Sequence, residues 1–214
     1  MERRTPRTTP RTRLAKAAAC VALASLLAAC AGPGPLRPEQ TETRDESGFR
    51  ITEEVRVGLG VRSDFERAVE AVDAGDYARG IELLVEVTGA APHVTAAHID
   101  LAIAYRLAGD LPKAEASLRR ALELNPRHPV AHNELGIVQR RSGRFAEARA
   151  SYEKALDLQP DFHFARRNLA ILCDLYLEDD ECALSQYQSY VEAFPHDEEV
   201  AMWMADLKNR MGSN

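Results

Sequence analysis

Four cysteines and six histidines are the residues here whose types could do chemistry. Cys173 and Cys182 have eight residues between them, which is not the two-residue spacing of a redox-active thiol pair. In an oxidising compartment two such cysteines commonly bridge, and the chain-entropy gain for so short a loop is about 2–3 kcal/mol. The alternative is a pair of buried thiols, since cysteine packs as a small hydrophobe. His93, His128 and His163 recur every 35 residues, and His98 and His132 stand 34 apart. Zinc needs its ligands within about 2 Å. Equivalent positions on successive packed elements lie roughly 10 Å apart, and no cysteine or clustered carboxylate completes a set. The histidines are therefore expected to pack at the joints between repeats, with no metal and no cofactor.

Catalytic patterns are missing as well. The sequence has no glycine-rich phosphate loop, no GxSxG elbow and no HExxH helix. The acids Glu178, Asp179, Asp180 and Glu181 suit a solvated turn. Residues 1–30 carry six basic side chains and one acid, which leaves −11 on the rest of a chain whose formal charge is −6. A body that acidic lacks the basic footprint that nucleic-acid binding requires. The expectation is a non-catalytic protein with neither a nucleic-acid partner nor a small-molecule substrate.

The N-terminal third is organised for export. Basic residues come first, and Ala17 to Ala29 then form an apolar run too short for the roughly 20 residues of a spanning helix. The run ends in Leu27-Ala28-Ala29-Cys30. This tetrapeptide resembles the lipobox of bacterial lipoproteins at every position. The resemblance implies a signal peptide over 1–29 and a lipid on Cys30. Because Ala31 rather than aspartate follows, it also implies an outer-membrane lipoprotein facing the periplasm. Residues 30–60 then read as a tether, opening with Gly32-Pro33-Gly34-Pro35. Apolar residues alternate from Phe49 through Ile51, Val55, Val57 and Leu59 to Val61. The alternation suits a strand, while Ile51, Val55 and Leu59 also suit a helix, so this stretch stays open between the two.

The remaining chain has a period. Pro92, Pro126, Pro160 and Pro195 follow one another at 34, 34 and 35 residues. Aligned on them, residues 95–128 show Leu101, Ala102, Tyr105, Gly109, Ala114, Leu118 and Ala121. Residues 129–162 repeat the pattern with Leu135, Gly136, Gly143, Ala148, Tyr152 and Ala155. This resembles the tetratricopeptide repeat, with His98 and His132 where its tryptophan would stand and Gln139 replacing its tyrosine. The implied fold is all-α: a superhelix of about four helix-turn-helix hairpins over 61–196, with repeats 61–94, 95–128, 129–162 and 163–196. A capping helix over 197–214 follows. Each pattern residue has a mechanical role. Small residues let two helices approach, glycine takes a left-handed conformation at the turn, and proline ends the second helix. Ser63-Asp64-Phe65-Glu66 has the form of a capping box opening the first hairpin. The fourth turn has no glycine and one extra residue.

In this family the first helices of the hairpins line a concave face. The matching positions are Ile99, Ile103 and Arg106; Asn133, Ile137, Arg140 and Arg141; and Arg167, Asn168 and Ile171. The resemblance thus implies an isoleucine floor edged by arginine and asparagine, suited to a protein or peptide partner. Phe65 and Val69 stand where a carboxylate-clamp repeat would need lysine and asparagine, which disfavours a chaperone-tail ligand. The expected function is a lipid-anchored periplasmic adaptor for an envelope assembly, similar to pilotin and Flp-pilus lipoproteins. The alternative is a regulatory subunit of a periplasmic cell-wall enzyme.

Overall fold

The computed structural model describes residues 39–44, 50–55 and 57–212. The expected signal peptide, the lipidation site Cys30 and the start of the tether lie outside the described residues. Strands β1 (Glu39–Arg44) and β2 (Arg50–Val55) pair antiparallel, with Glu39 opposite Val55 and Arg44 opposite Arg50. The stretch left open between strand and helix therefore contains both, because helix α1 starts at Leu59. The capping-box expectation is corrected here. Ser63 lies inside α1, whose N-cap is Gly58 with no side-chain cap.

Helices α1 (Leu59–Asp73) and α2 (Tyr77–Ala90) form the first hairpin, α3 (Thr95–Leu107) and α4 (Leu111–Leu124) the second. The third pairs α5 (Pro129–Arg141) with α6 (Phe145–Leu158), and the fourth pairs α7 (His163–Leu172) with α8 (Asp180–Ala193). Helix α9 (Glu198–Gly212) packs on α8. The first helices lie side by side, α1 on α3, α3 on α5 and α5 on α7. From Leu59 to Gly212 this is the all-α tetratricopeptide superhelix, and the strand pair β1–β2 that precedes it is the one departure from the expected all-α class among the described residues.

The first three turns share two local devices, and the first two add a third. Gly75, Gly109 and Gly143 sit at φ of 82°, 88° and 75°, where a Cβ is costly. The next amide then reaches back five residues: Asp76 to Ala71 O at 2.9 Å, Asp110 to Tyr105 O at 2.8 Å and Arg144 to Gln139 O at 2.9 Å. Where that next residue is aspartate, its carboxylate also caps the second helix, as Asp110 does by accepting from the Lys113 amide at 3.2 Å. The fourth turn absorbs its extra residue differently. Cys173–Leu177 widen into a π-helical turn, Glu178 takes φ 54°, and the Asp179 amide reaches Cys173 O at 3.0 Å. Cys173 and Cys182 close this turn in a disulfide, with Cα atoms 5.9 Å apart.

The core runs along the hairpin crossings. Ala68, Ala102, Ala114, Ala148, Ala170 and Ala183 are all buried. Two crossings are too tight for any side chain. A Cβ at Gly80 would run into Val72, and one at Gly136 would lie 2.5 Å from Cε1 of Tyr152. Hairpins join through the proline carbonyls. Nε2 of His98 meets Pro92 O at 3.2 Å, Nε2 of His132 meets Pro126 O at 3.0 Å, and Arg166 Nη2 donates to Pro160 O at 2.7 Å. The two histidines at the tryptophan position are thus hydrogen-bonding joints, with the ring proton on Nε2.

Gly136 and Gly109 separate packing from backbone strain. Gly136→Val should cost about 3 kcal/mol, because it drives a methyl group into a buried tyrosine ring. Gly109→Ala meets no neighbouring atom and should cost about 1 kcal/mol from its left-handed backbone alone. Urea unfolding followed by circular dichroism ranks them; the reverse order would contradict the packing at the crossing.

Candidate partner-binding face

Helices α3, α5 and α7 carry the expected groove residues, and the structure separates those residues into three groups. Ile103, Ile137 and Ile171 are half-buried and keep surface on this face. Ile99 does not: it is 1% exposed and packs with Ala102, Leu118 and Val138. The expectation that it lines a groove is corrected, because its position on α3 points between hairpins. Asn133 is 4% exposed, and its Oδ1 accepts from Asn168 Nδ2 at 2.9 Å, so these amides serve each other.

The arginines are also engaged. Arg106 Nε donates to Glu134 Oε2 at 2.9 Å, in a pair largely hidden from solvent. Arg141 Nη1 donates to the carbonyl of Arg106 at 2.9 Å. The Arg140 guanidinium stands 5.6 Å from the Tyr176 ring centre. Arg167 lies 3.7 Å from Glu199 and 5.4 Å from the Trp203 ring centre. The face is therefore not a plain arginine strip on an acidic body.

This face also carries acids that were not among the expected groove residues. Asp100 and Glu134 occupy equivalent places in successive repeats, one residue on from Ile99 and Asn133. Their 34-residue spacing was the available signal. Burial pushes the Asp100 carboxyl up to about 7, with the Glu134 and Asp73 carboxylates pushing the same way. Burial also raises the Glu134 carboxyl, and Arg106 works against that rise.

At the far end of the face lies a pocket of about 330 Å³ between the π-helical turn, α8 and α9. Its apolar walls are Ile171, Leu175, Met202 and Trp203, and Leu175 and Met202 are 62% and 64% exposed. Asp174 sits on its floor, taking a hydrogen bond from Tyr187 Oη at 3.2 Å and an ion pair from Arg210. The capping helix thus presents apolar side chains. Cys173, Asp179 and Cys182 bring donor atoms within 4.8 Å of one another, but both sulfurs are bonded to each other. The arrangement offers surfaces, ion pairs and one apolar recess, which are the means of holding a chain. No described cluster combines a nucleophile with a base.

The raised Asp100 carboxyl has a pH signature. A folded-state value above the unfolded one gives stability that is present below the unfolded value, near 3.8, and lost as pH rises through about 7. Asp100→Asn should therefore raise Tm by several degrees at pH 8, with the gain fading through pH 7 and gone by pH 4. A gain independent of pH, measured by thermal melts across that range, would show that Asp100 titrates normally.

The tetratricopeptide repeat model matches the chain over 65–129, 100–161 and 133–198. No curated protein matches. Among solved structures, a thermophilic tetratricopeptide protein of Thermus thermophilus is 25% identical with a TM-score of 0.61, over 69% of this chain and 80% of that one. Pseudomonas aeruginosa pilF is 19% identical with a TM-score of 0.66, over 72% of this chain and 69% of that one, a likeness of fold. The first repeat domain of Spaghetti (RPAP3), solved with an HSP90 peptide, is 22% identical with a TM-score of 0.51 over 53% of this chain and 90% of its own, again a likeness of fold. With the repeat model spanning more than half of its length, this chain belongs to the tetratricopeptide repeat family.

Proposed function

We propose that this protein is a lipid-anchored periplasmic adaptor that captures a protein partner on the first-helix face of its repeats and helps assemble an envelope complex. The observation that carries the reading is a conjunction. An export signal ending in Leu27-Ala28-Ala29-Cys30 precedes a solenoid whose family binds proteins and peptides. The lipid would concentrate the repeats at the membrane surface. Two anchored groups so confined meet at high effective concentration, which lets a modest groove affinity suffice. The Cys173–Cys182 bridge agrees with an oxidising compartment. The resemblance of the lipobox-plus-repeat layout to pilotin and Flp-pilus lipoproteins makes a pilus or secretion machine the first class of partner to examine.

Two experiments test this. Cys30→Ser should abolish incorporation of labelled fatty acid and shift the protein from the membrane to the soluble envelope fraction, with unchanged helical content. A variant that remains lipidated and membrane-bound would contradict the anchor. Affinity capture from detergent-solubilised envelopes, read by mass spectrometry, identifies the partner class. Secretion or pilus components support the adaptor, whereas a cell-wall hydrolase or synthase would make the protein a regulatory subunit instead.

A further inference from the structure

The ion pair Arg106–Glu134 joins α3 to α5 across 28 residues. The same spacing relates Val72 to Asp100 on one side and Arg140 to Asn168 on the other. The repeat therefore builds one complete rung and two half-rungs. At the first, valine stands where a cation would face Asp100, and no described residue forms an ion pair or hydrogen bond with that carboxylate. At the second, asparagine stands where an anion would face Arg140, and Asn168 gives its amide to Asn133 instead.

The second half-rung has an independent mark. Nε of Arg140 is buried without a hydrogen-bond partner of its own. The same guanidinium lies beside the Tyr152 hydroxyl, whose oxygen can accept from it, and burial pushes the phenol up to about 12. No described carboxylate forms an ion pair with Arg140. A carboxylate is the group that would complete this half-rung.

We infer that the first-helix face takes an extended peptide carrying a basic side chain and an acidic side chain, the base paired with Asp100 and the acid with Arg140, laid across the completed Arg106–Glu134 rung. This rests on the reading of that face as the partner site. The spacing follows from helix geometry. Neighbouring helices stand about 10 Å apart. Arg140 is six residues beyond the place on α5 equivalent to Asp100, which adds roughly 9 Å at 1.5 Å per residue. The diagonal is about 13 Å, or about four residues of extended chain. The partner segment thus has the form basic-x-x-x-acidic. Two half-buried charge pairs of this kind should together be worth at least tenfold in affinity.

The test uses the full-length chain in detergent and a fluorescein-labelled nonapeptide, Ser-Gly-Lys-Ala-Ala-Ala-Glu-Gly-Ser, with its Lys and Glu replaced by Gln as control, read by anisotropy. The mixed-charge peptide should bind at least tenfold more tightly than the control. Asp100→Asn and Arg140→Gln should each erase that difference while helical content holds. Asn168→Glu is the more telling variant, because it supplies the missing anion internally. It should raise Tm and lose the mixed-charge peptide together, a combination that a purely structural residue would not give. Equal binding of control and probe, retained binding by Asn168→Glu, or no binding of the probe at millimolar concentration would each overturn the proposal. Envelope capture with the same variants separates the two readings. If the variants still capture the wild-type partner, the half-rungs are not its site but the adaptor stands; if wild type captures nothing, the adaptor reading itself falls.

Discussion

Everything in this molecule depends on two helices being able to cross without side chains between them. Ala102 over Ala114 and Gly136 under Tyr152 remove the obstruction, and the glycine turn then folds the second helix back at a fixed angle. Once one hairpin is so defined, the next must stack on its open apolar edge, because a single hairpin cannot bury its own surface. The 34-residue period, the row of first helices and the spacing of charges along that row all follow from the crossing. A widened crossing would move Glu134 relative to Arg106 and would dismantle the rung as well as the core.

Much of this could be read from the sequence, because repeats say the same thing several times. Glycine at 75, 109 and 143 and proline at 92, 126, 160 and 195 mark turns and ends without any tertiary information. The misreadings share a physical cause. On a helix one residue is about 100° of rotation, so Ile99 turns into the core while its neighbour Asp100 is the half-buried acid on the groove side. On a chain this acidic, arginines stand out along the first helices, while the acids at matching places, Asp100 and Glu134, do not. Leu59 starts a helix with no cap signal, because Gly58 offers no side chain, and the Ser63 motif drew attention inward. The fourth turn showed its extra residue in the sequence. That a π-helical turn and a left-handed Glu178 absorb it is set by the demand that α8 return to phase.

The charges along the first-helix face tie the fold to its use. A repeat protein can satisfy every rung internally, and such a face would be stable and inert. Here the pattern Val72, Arg106, Arg140 against Asp100, Glu134, Asn168 closes only in the middle. Farther on, Leu175, Met202 and Trp203 leave an apolar recess where a capping helix could have been polar. Burial of the unpaired Asp100 carboxylate and exposure of the apolar recess both cost stability in the isolated chain, and the proposed partner would offset that cost by covering them.

We propose that partners are held on the first-helix face. Site-specific photo-crosslinking in intact envelopes addresses it directly, with the reactive residue placed at Ile103 on α3 or at Glu153 on the exposed side of α6. A discrete adduct is expected from position 103 and none from 153. Adducts from 153 alone, or equal adducts from both, would put the partner on the opposite surface and contradict it.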